Sequence, residues 1–170
     1  MSVNNPNEKT HHGHFYHILL PIIFVSIWIL DSFVFKFSTF LIDFIPLVLR
    51  IILFAIILGV AFYLWGAAHK ALFGKIFNPE WHRPKDLVTT GAFAYIRHPM
   101  YLGNLLALLS VFFLTISLLS LACWVIIFII FDRQAAREDQ QLEETYGERY
   151  SNYKKSVAKW LPKLKKYENE

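Results

Sequence analysis

A stretch of 32 residues without a charged side chain, residues 100–131, restricts the possible folds of this chain more than any other feature of its sequence. Two shorter charge-free stretches precede it, at residues 18–30 and 51–68. A helix that crosses a bilayer needs about 20 mostly apolar residues, and 55% of the chain is apolar, with a mean hydropathy of +0.39. Because the apolar residues are clustered, the sequence predicts an integral membrane protein.

The 32-residue stretch is too long for a single spanning helix. At 1.5 Å per residue it would extend about 48 Å, well beyond the hydrocarbon core of about 30 Å. Basic residues are dense before it, in residues 69–98, and again after Phe131. Because basic loops collect on the cytoplasmic side, a hairpin that turns within residues 115–120 is expected to keep both basic segments there.

The predicted fold is therefore an all-α integral membrane protein with about four transmembrane helices. Their expected bounds are 16–35, 45–67, 100–115 and 118–132. The last two are expected to form a helical hairpin that continues into a cytoplasmic helical extension. The predicted segments are a polar N-terminal tail at 1–15, membrane helices at 16–77, a core at 78–162 and a basic tail at 163–170.

The distribution of charge predicts where the protein lies. The first apolar stretch lacks a cleavage site of the A-x-A kind, so it is expected to be a permanent anchor. The lysines that follow the last span have Trp160 and Tyr167 among them. This pattern indicates a segment that contacts membrane lipids or a solvated amphipathic tail, and it argues against binding of nucleic acid. We expect a multi-pass protein of a bacterial inner membrane or the endoplasmic reticulum, with its active site facing the cytoplasm.

Polar residues suited to chemistry collect in two segments, residues 78–103 and 133–162. In a hairpin these segments flank the same two helices, so they are expected to meet at one membrane face. In the first segment, Pro99 suits the first turn of a helix, which places His98 near the cap and Arg97 beside it. The free N–H groups of such a helix start attract anions, while an interfacial belt that anchors a span is the structural alternative.

The second segment has the composition of a charged helix that ends at Gly147. Glu138 lies on the same helical face as Gln134 and Leu142. A solvated surface helix would have the same composition, so this segment alone indicates no function.

Taken together, the two segments resemble the membrane methyltransferase superfamily of isoprenylcysteine carboxyl methyltransferases and phospholipid methyltransferases. The first part of the resemblance is a lead-in followed by an Arg-His-Pro-x-Tyr-x-Gly motif, carried here by Leu87, Val88, Gly91, Arg97, His98, Pro99, Tyr101 and Gly103. The second part follows the hairpin and consists of Glu138, Leu142, Tyr146, Gly147, Tyr150, Tyr153, Val157 and Pro162. The resemblance as a whole covers residues 78–162, about half of the chain.

The resemblance implies S-adenosyl-L-methionine as the cofactor and assigns roles by position. The adenosine side would be lined by Asn78, Lys85, Asp86, Leu87, Val88 and Phe93. The methionine part would be surrounded by His98, Pro99, Met100 and Tyr101, with Glu138 facing its ammonium group. Arg97, His98 and Glu138 are the expected catalytic residues, and no metal site is expected.

Three positions depart from the pattern of the superfamily. Phe93 replaces a tyrosine, Asp139 replaces the second glutamate, and Gln134 stands where the eukaryotic carboxyl methyltransferases have a substrate-contacting arginine. Arg133 and Arg137 are therefore expected, with Gln134, to contact the substrate.

The expected function is methyl transfer from S-adenosylmethionine to a lipophilic or membrane-embedded carboxylate, amine or hydroxyl. One alternative is a membrane reductase of the steroid-reductase type that uses NADPH. Another is a non-enzymatic membrane protein, with metal or haem held by His11, His12, His14 and His17.

Overall fold

The computed structural model describes residues 11–74, 86–162 and 166–167, with side chains from residue 19 onward. The histidine cluster of the non-enzymatic alternative therefore has no described side chains, although the backbone from His11 is helical. Five α-helices are present in the described residues: α1 His11–Ile29, α2 Leu47–Phe73, α3 Pro99–Thr115, α4 Leu118–Tyr146 and α5 Glu148–Ser156. A π-helical turn, Leu30–Phe35, continues α1, and short 3-10 turns occupy Ile42–Phe44 and Gly91–Ala94.

Two helices, α2 and α4, are long and apolar enough to cross a membrane. In the most apolar part of α2 only 6% of the residues are buried inside the structure. The exposed side chains there are large and apolar, among them Leu47, Val48 and Phe62. Large apolar surfaces of this kind are rare on soluble monomers, and lipid tails are their natural solvent.

Helices α3 and α4 form the hairpin that the charge distribution predicts. The connection consists of Ile116 and Ser117, and the Ser117 hydroxyl caps α4 by accepting from the N–H of Ser120 at 3.0 Å. Ile116 has a positive φ of 49°, a conformation that costs a branched residue about 1–2 kcal/mol. The predicted position of the turn within residues 115–120 is confirmed.

A network of buried polar groups ties this turn to the connection between α1 and α2. The Asp31 carboxylate accepts hydrogen bonds from the Ser38 hydroxyl at 2.5 Å and from the Ser117 hydroxyl at 2.6 Å. Arg50 donates to the carbonyl of Leu114 at 2.5 Å. These bonds satisfy groups that would be costly to leave unpaired in an apolar medium.

The packing of α2 against α3 depends on Gly103. A β-carbon at this position would lie 3.1 Å from the carbonyl oxygen of Ala61 and 3.4 Å from the β-carbon of Trp65. The absence of a side chain therefore permits the two backbones to approach closely. On the other side of α3, Leu105 and Leu108 pack with Phe24, Ile127 and Phe131 into the core shared by α1, α3 and α4.

Several helix bounds differ from the expected ones. The described part of α1 extends back to His11, inside the segment predicted as a polar tail, because a helix can continue beyond the end of its apolar surface. Helix α2 begins after Pro46 and continues to Phe73, six residues beyond the predicted end at residue 67. It stops at Gly74, whose φ is 70°.

Candidate active site

Asp139 lies at the centre of a cluster of polar side chains that is buried except at Glu138. We call it the Asp139 cluster: Arg97, His98, Glu138, Asp139 and Tyr150. Its carboxylate is 2.8 Å from Nε2 of His98 and 3.2 Å from Nη2 of Arg97. It also accepts from the Tyr150 hydroxyl at 2.5 Å. The cluster joins the start of α3, the charged part of α4 that follows its apolar stretch, and α5. The two polar segments of the sequence therefore meet at one end of the hairpin.

Arg97 connects this cluster to the end of α5. Its Nη1 donates to the carbonyl of Lys154 at 2.7 Å and to that of Val157 at 3.3 Å. Its backbone N–H donates to the carbonyl of Ala158 at 2.9 Å. Carbonyl groups at a helix C-terminus lack partners within the helix and carry partial negative charge. The described contacts of Arg97 are thus with the protein itself.

His98 is the N-cap residue of α3 and is almost entirely buried. Its ring centroid lies 5.6 Å from that of Tyr101 and 6.1 Å from that of Trp160. Its Nε2 faces Asp139, and its Nδ1 lies 3.6 Å from Oε2 of Glu138. Burial disfavours the charged imidazole, but the hydrogen bonds and negative charges of both acids outweigh this effect and raise the pKa of His98.

The two acidic residues of the cluster differ in exposure. The Asp139 side chain is 7% exposed, whereas that of Glu138 is 44% exposed. Burial opposes ionisation of both, but hydrogen bonds from His98 lower the pKa of both carboxyls, aided by Tyr150 at Asp139 and by Tyr101 at Glu138. Glu138 therefore presents a charged carboxylate to the outside of the cluster.

The segment after α5 covers the cluster. Trp160 packs beside the His98 ring and donates from its indole N–H to Asp132 at 2.8 Å. Lys159 binds the same carboxylate at 2.5 Å. Ile96 and Ala158 form a single parallel bridge between this segment and the chain before α3. These contacts keep water away from His98.

Of the six residues expected on the adenosine side, Asp86, Leu87 and Phe93 contact α5. Leu87 contacts the buried group of Tyr150, Tyr153 and Val157, and the carbonyl of Phe93 accepts from the Tyr153 hydroxyl at 2.6 Å. Asp86 is exposed and forms an ion pair with Arg149 at 2.7 Å. Val88 is half-buried. Asn78 and Lys85 lie outside the described residues.

The residues expected to contact the substrate lie on the outer surface of α4. Arg133 and Arg137 are one helical turn apart and both exposed, and Gln134 is half-buried on the face of Glu138. Of the methionine-side residues, Pro99 is buried and Met100 half-buried at the start of α3.

Sequence reasoning missed the importance of two residues. Asp139 was expected only as a departure from the superfamily, and Tyr150 only as one of several spaced tyrosines. An acid directly after Glu138 projects about 100° around the helix from it, so it was predictable that the two carboxylates face different surroundings. That Tyr150 reaches Asp139 depends on the reversal of the chain at Gly147.

Two helices that are long and apolar enough to span a bilayer, with an ionic cluster at one end of a helical hairpin, are typical of a membrane protein with a polar site. The model of the phospholipid methyltransferase family matches residues 47–149, more than half of the chain. The chain belongs to this membrane-bound family.

Its relatives carry methyltransferase names. A methanethiol S-methyltransferase of Pseudomonas deceptionensis is 38% identical over 71 residues, 42% of this chain and 26% of the relative. Another, from Crocosphaera subtropica, is 27% identical over 148 residues, 87% of this chain and 49% of the relative. The protein-S-isoprenylcysteine O-methyltransferase of Schizosaccharomyces pombe is 33% identical over 87 residues, 47% of this chain and 35% of the relative.

The match with each of these three relatives covers less than half of the relative's own length. No solved structure gives a significant match to the chain. The expected resemblance to the superfamily is confirmed, and the names of the relatives favour methyl transfer over the reductase and non-enzymatic alternatives.

Proposed function

We propose that this protein transfers a methyl group from S-adenosylmethionine to a lipophilic acceptor at the cytoplasmic face of a membrane. The observation that carries the proposal is the carboxylate of Glu138. It is ionised and 44% exposed, and its described partners are the His98 ring and the Tyr101 hydroxyl. A cation of a ligand has access to such a group and gains charge-assisted hydrogen bonds.

The donor set of the site fits S-adenosylmethionine. Glu138 would hold the ammonium group. The N–H groups of the first turn of α3 that follow Pro99, which has no N–H of its own, would attract a carboxylate together with the positive end of the helix dipole. The rings of Tyr101 and Trp160 beside His98 suit a sulfonium cation. When bound, the cofactor supplies a methyl group that is already activated by the positive sulfur.

The residues of the chain would then orient the reactants and exclude water. Arg97 acts as a positioning residue, because its guanidinium group donates hydrogen bonds to Asp139 and to the end of α5 and so holds them together. Trp160 and the segment after α5 exclude water from the His98 side. Such positioning supplies much of the rate enhancement in a displacement reaction.

A lipophilic acceptor is supported by two features. The apolar surface of α2 is exposed along most of its length, so a membrane-dissolved acceptor approaches without crossing water. One relative is named for isoprenylcysteine. An amine or hydroxyl acceptor needs a base, for which His98 and Glu138 are the candidates, whereas a carboxylate needs none.

A thiol is the second candidate acceptor. The observation that favours it is the name methanethiol S-methyltransferase carried by two relatives. A thiol reacts as its thiolate, and even the thiol of free cysteine has a pKa of about 8.5, so this acceptor also needs a base. Comparing methanethiol with a lipid extract of the host as acceptors of labelled methyl groups separates the two candidates.

The cofactor assignment is tested by binding of S-adenosylhomocysteine to the full chain in lipid nanodiscs, measured by calorimetry. Glu138→Gln is expected to weaken binding about 10- to 100-fold, the loss of one hydrogen bond to a charged group. Glu144→Gln, an exposed acid farther along α4, is the matched control and should bind like the wild type. Equal affinity of wild type and Glu138→Gln, or binding of NADPH in place of S-adenosylhomocysteine, would refute the assignment.

A further inference from the structure

His98 bridges two carboxylates that follow each other in the sequence. Nε2 lies 2.8 Å from Asp139, and Nδ1 lies 3.6 Å from Glu138. The ring is 4% exposed, so water does not compete for either nitrogen. A neutral imidazole has one N–H donor and one acceptor, while the charged form has two donors. Only the charged form donates toward both acids.

Resting on the function proposed above, we propose that His98 carries a proton in the ligand-free site and releases it to solvent when the ammonium group of the ligand binds Glu138. The bond that breaks is the N–H at Nδ1, and its proton leaves to the buffer. The imidazole keeps the proton on Nε2, and the lone pair left on Nδ1 accepts a hydrogen bond from the incoming ammonium group.

The charges around His98 support this exchange. Arg97 and protonated His98 are balanced by Glu138 and Asp139. Asp132 and Lys159 form a neutral pair of their own, and Tyr150 is neutral because burial raises its pKa. The ammonium group at Glu138 would place a positive charge beside Nδ1, and a like charge within about 4–6 Å disfavours the protonated imidazole. The carboxylate of the same ligand would be compensated separately by the N–H groups of α3.

Asp139 determines which proton remains. Arg97 and the Tyr150 hydroxyl both donate to its carboxylate, which keeps it ionised and able to accept from Nε2. A carboxylate bound to one ring nitrogen fixes the tautomer of a histidine. Asp139 is therefore a positioning residue that leaves Nδ1 as the nitrogen facing the ligand.

The test is calorimetry of S-adenosylhomocysteine binding at pH 6, in buffers of different ionisation enthalpy, with the full chain in nanodiscs. This pH lies below the usual histidine pKa of about 6.5, so His98 starts out protonated. The slope of the observed binding enthalpy against the ionisation enthalpy of the buffer should therefore correspond to release of about one proton. Methylthioadenosine, which lacks the ammonium group, should bind without proton release. His98→Asn should bind S-adenosylhomocysteine without proton release.

The outcomes distinguish this inference from the proposed function. Binding of S-adenosylhomocysteine by the wild type without proton release overturns the inference and leaves the cofactor assignment intact. Equal release with methylthioadenosine, or release that persists in His98→Asn, also overturns it. Absence of any binding by the wild type defeats the cofactor assignment and this inference together.

Discussion

Glu138 and Asp139 are neighbours in the sequence with different surroundings. Successive residues of a helix project about 100° apart, so Asp139 points into the contact with α3 and α5 while Glu138 remains half-exposed. Asp139 thus compensates the charges of Arg97 and His98, and Glu138 stays accessible to the proposed ligand. The superfamily pattern identified Glu138, but only the packing of three helices shows what Asp139 does.

Asp139→Asn is expected to destabilise the protein strongly. The substitution leaves Arg97 and His98 without their buried counter-charge, and breaking a buried pair in this way costs about 3–5 kcal/mol. Unfolding on heating is measured by reaction of a thiol-reactive dye with Cys123, the only cysteine in the chain, which packs against the core. Asp43→Asn, an exposed position, is the control, and equal unfolding temperatures of the two variants would contradict the central role of Asp139.

Stability is expected to fall on the alkaline side because of His98. Its pKa is raised by Asp139 and Glu138 despite burial. The stabilisation from its protonation is therefore complete below the usual pKa of about 6.5 and is lost as the pH rises through the raised value. The lowered pKa of Asp139 has the opposite effect: its stabilisation is lost only as the pH falls through that lowered value, far into the acid range.

The unfolding temperature of the wild type should thus decline between pH 6 and pH 9, measured with the Cys123 reaction corrected for thiol ionisation or by circular dichroism. His98→Asn should lower stability at pH 6 but remove this decline. A decline of the same size in both proteins would show that another group causes it.

At the level of elements, the reversal between α4 and α5 depends on Gly147. Its φ of 57° and ψ of −129° form a combination that residues with a side chain rarely adopt. Gly147→Ala is expected to cost about 1–3 kcal/mol and to loosen α5, which carries Tyr150 and Tyr153 against the site. Thermal unfolding measures the cost, and weaker S-adenosylhomocysteine binding would report the displaced α5.

Gly59→Ala provides the matched control, because Gly59 lies within α2 and a β-carbon there meets nothing within 4 Å. Alanine is favoured over glycine inside a helix by about 1 kcal/mol, so this variant should be as stable as the wild type or more so. If Gly147→Ala were equally well tolerated, the backbone at the reversal would not be restricted as the structure indicates.

Three features were predictable from sequence, because each is set by the local chemistry of one or two residues: the start of α3 at Pro99, the end of α4 at Gly147 and the turn near Ser117. Two contacts of the site were not predictable from sequence: that of Arg97 with the end of α5 and that of Tyr150 with Asp139. These contacts join residues 57 and 11 positions apart, and they depend on how the helices pack. The hydrogen bonds of Asp31 with Ser117, 86 positions away, were not predictable for the same reason.

For the whole molecule, the lengths of the helices determine how many of them can span a bilayer. Helices α2 and α4 are long enough to cross it, whereas the 17 residues of α3 extend only about 25 Å, less than a typical hydrocarbon core of about 30 Å. Local thinning of the bilayer accommodates a short span at modest cost. Four spans, with both basic segments in the cytoplasm, remain a prediction.

This arrangement places the connection between α1 and α2 across the membrane from the Asp139 cluster. Single cysteines are introduced into a Cys123→Ala background at exposed positions: Lys36→Cys in that connection, and Thr90→Cys and Asn152→Cys beside the cluster. A membrane-impermeant maleimide applied to inverted vesicles should label positions 90 and 152, whereas intact cells or right-side-out vesicles should allow labelling of position 36 alone. The hydrogen bond between Ser117 and Asp31 fixes the α1–α2 connection to the hairpin turn. The hydrogen bond between Arg97 and Asp139 fixes the cluster to the opposite end of the hairpin. Labelling of all three positions from one side would therefore require the hairpin to lie along the membrane surface instead of crossing it. A cluster on such a surface hairpin would no longer be reached by an acceptor entering from between spanning helices, and the lipophilic acceptor would lose its route.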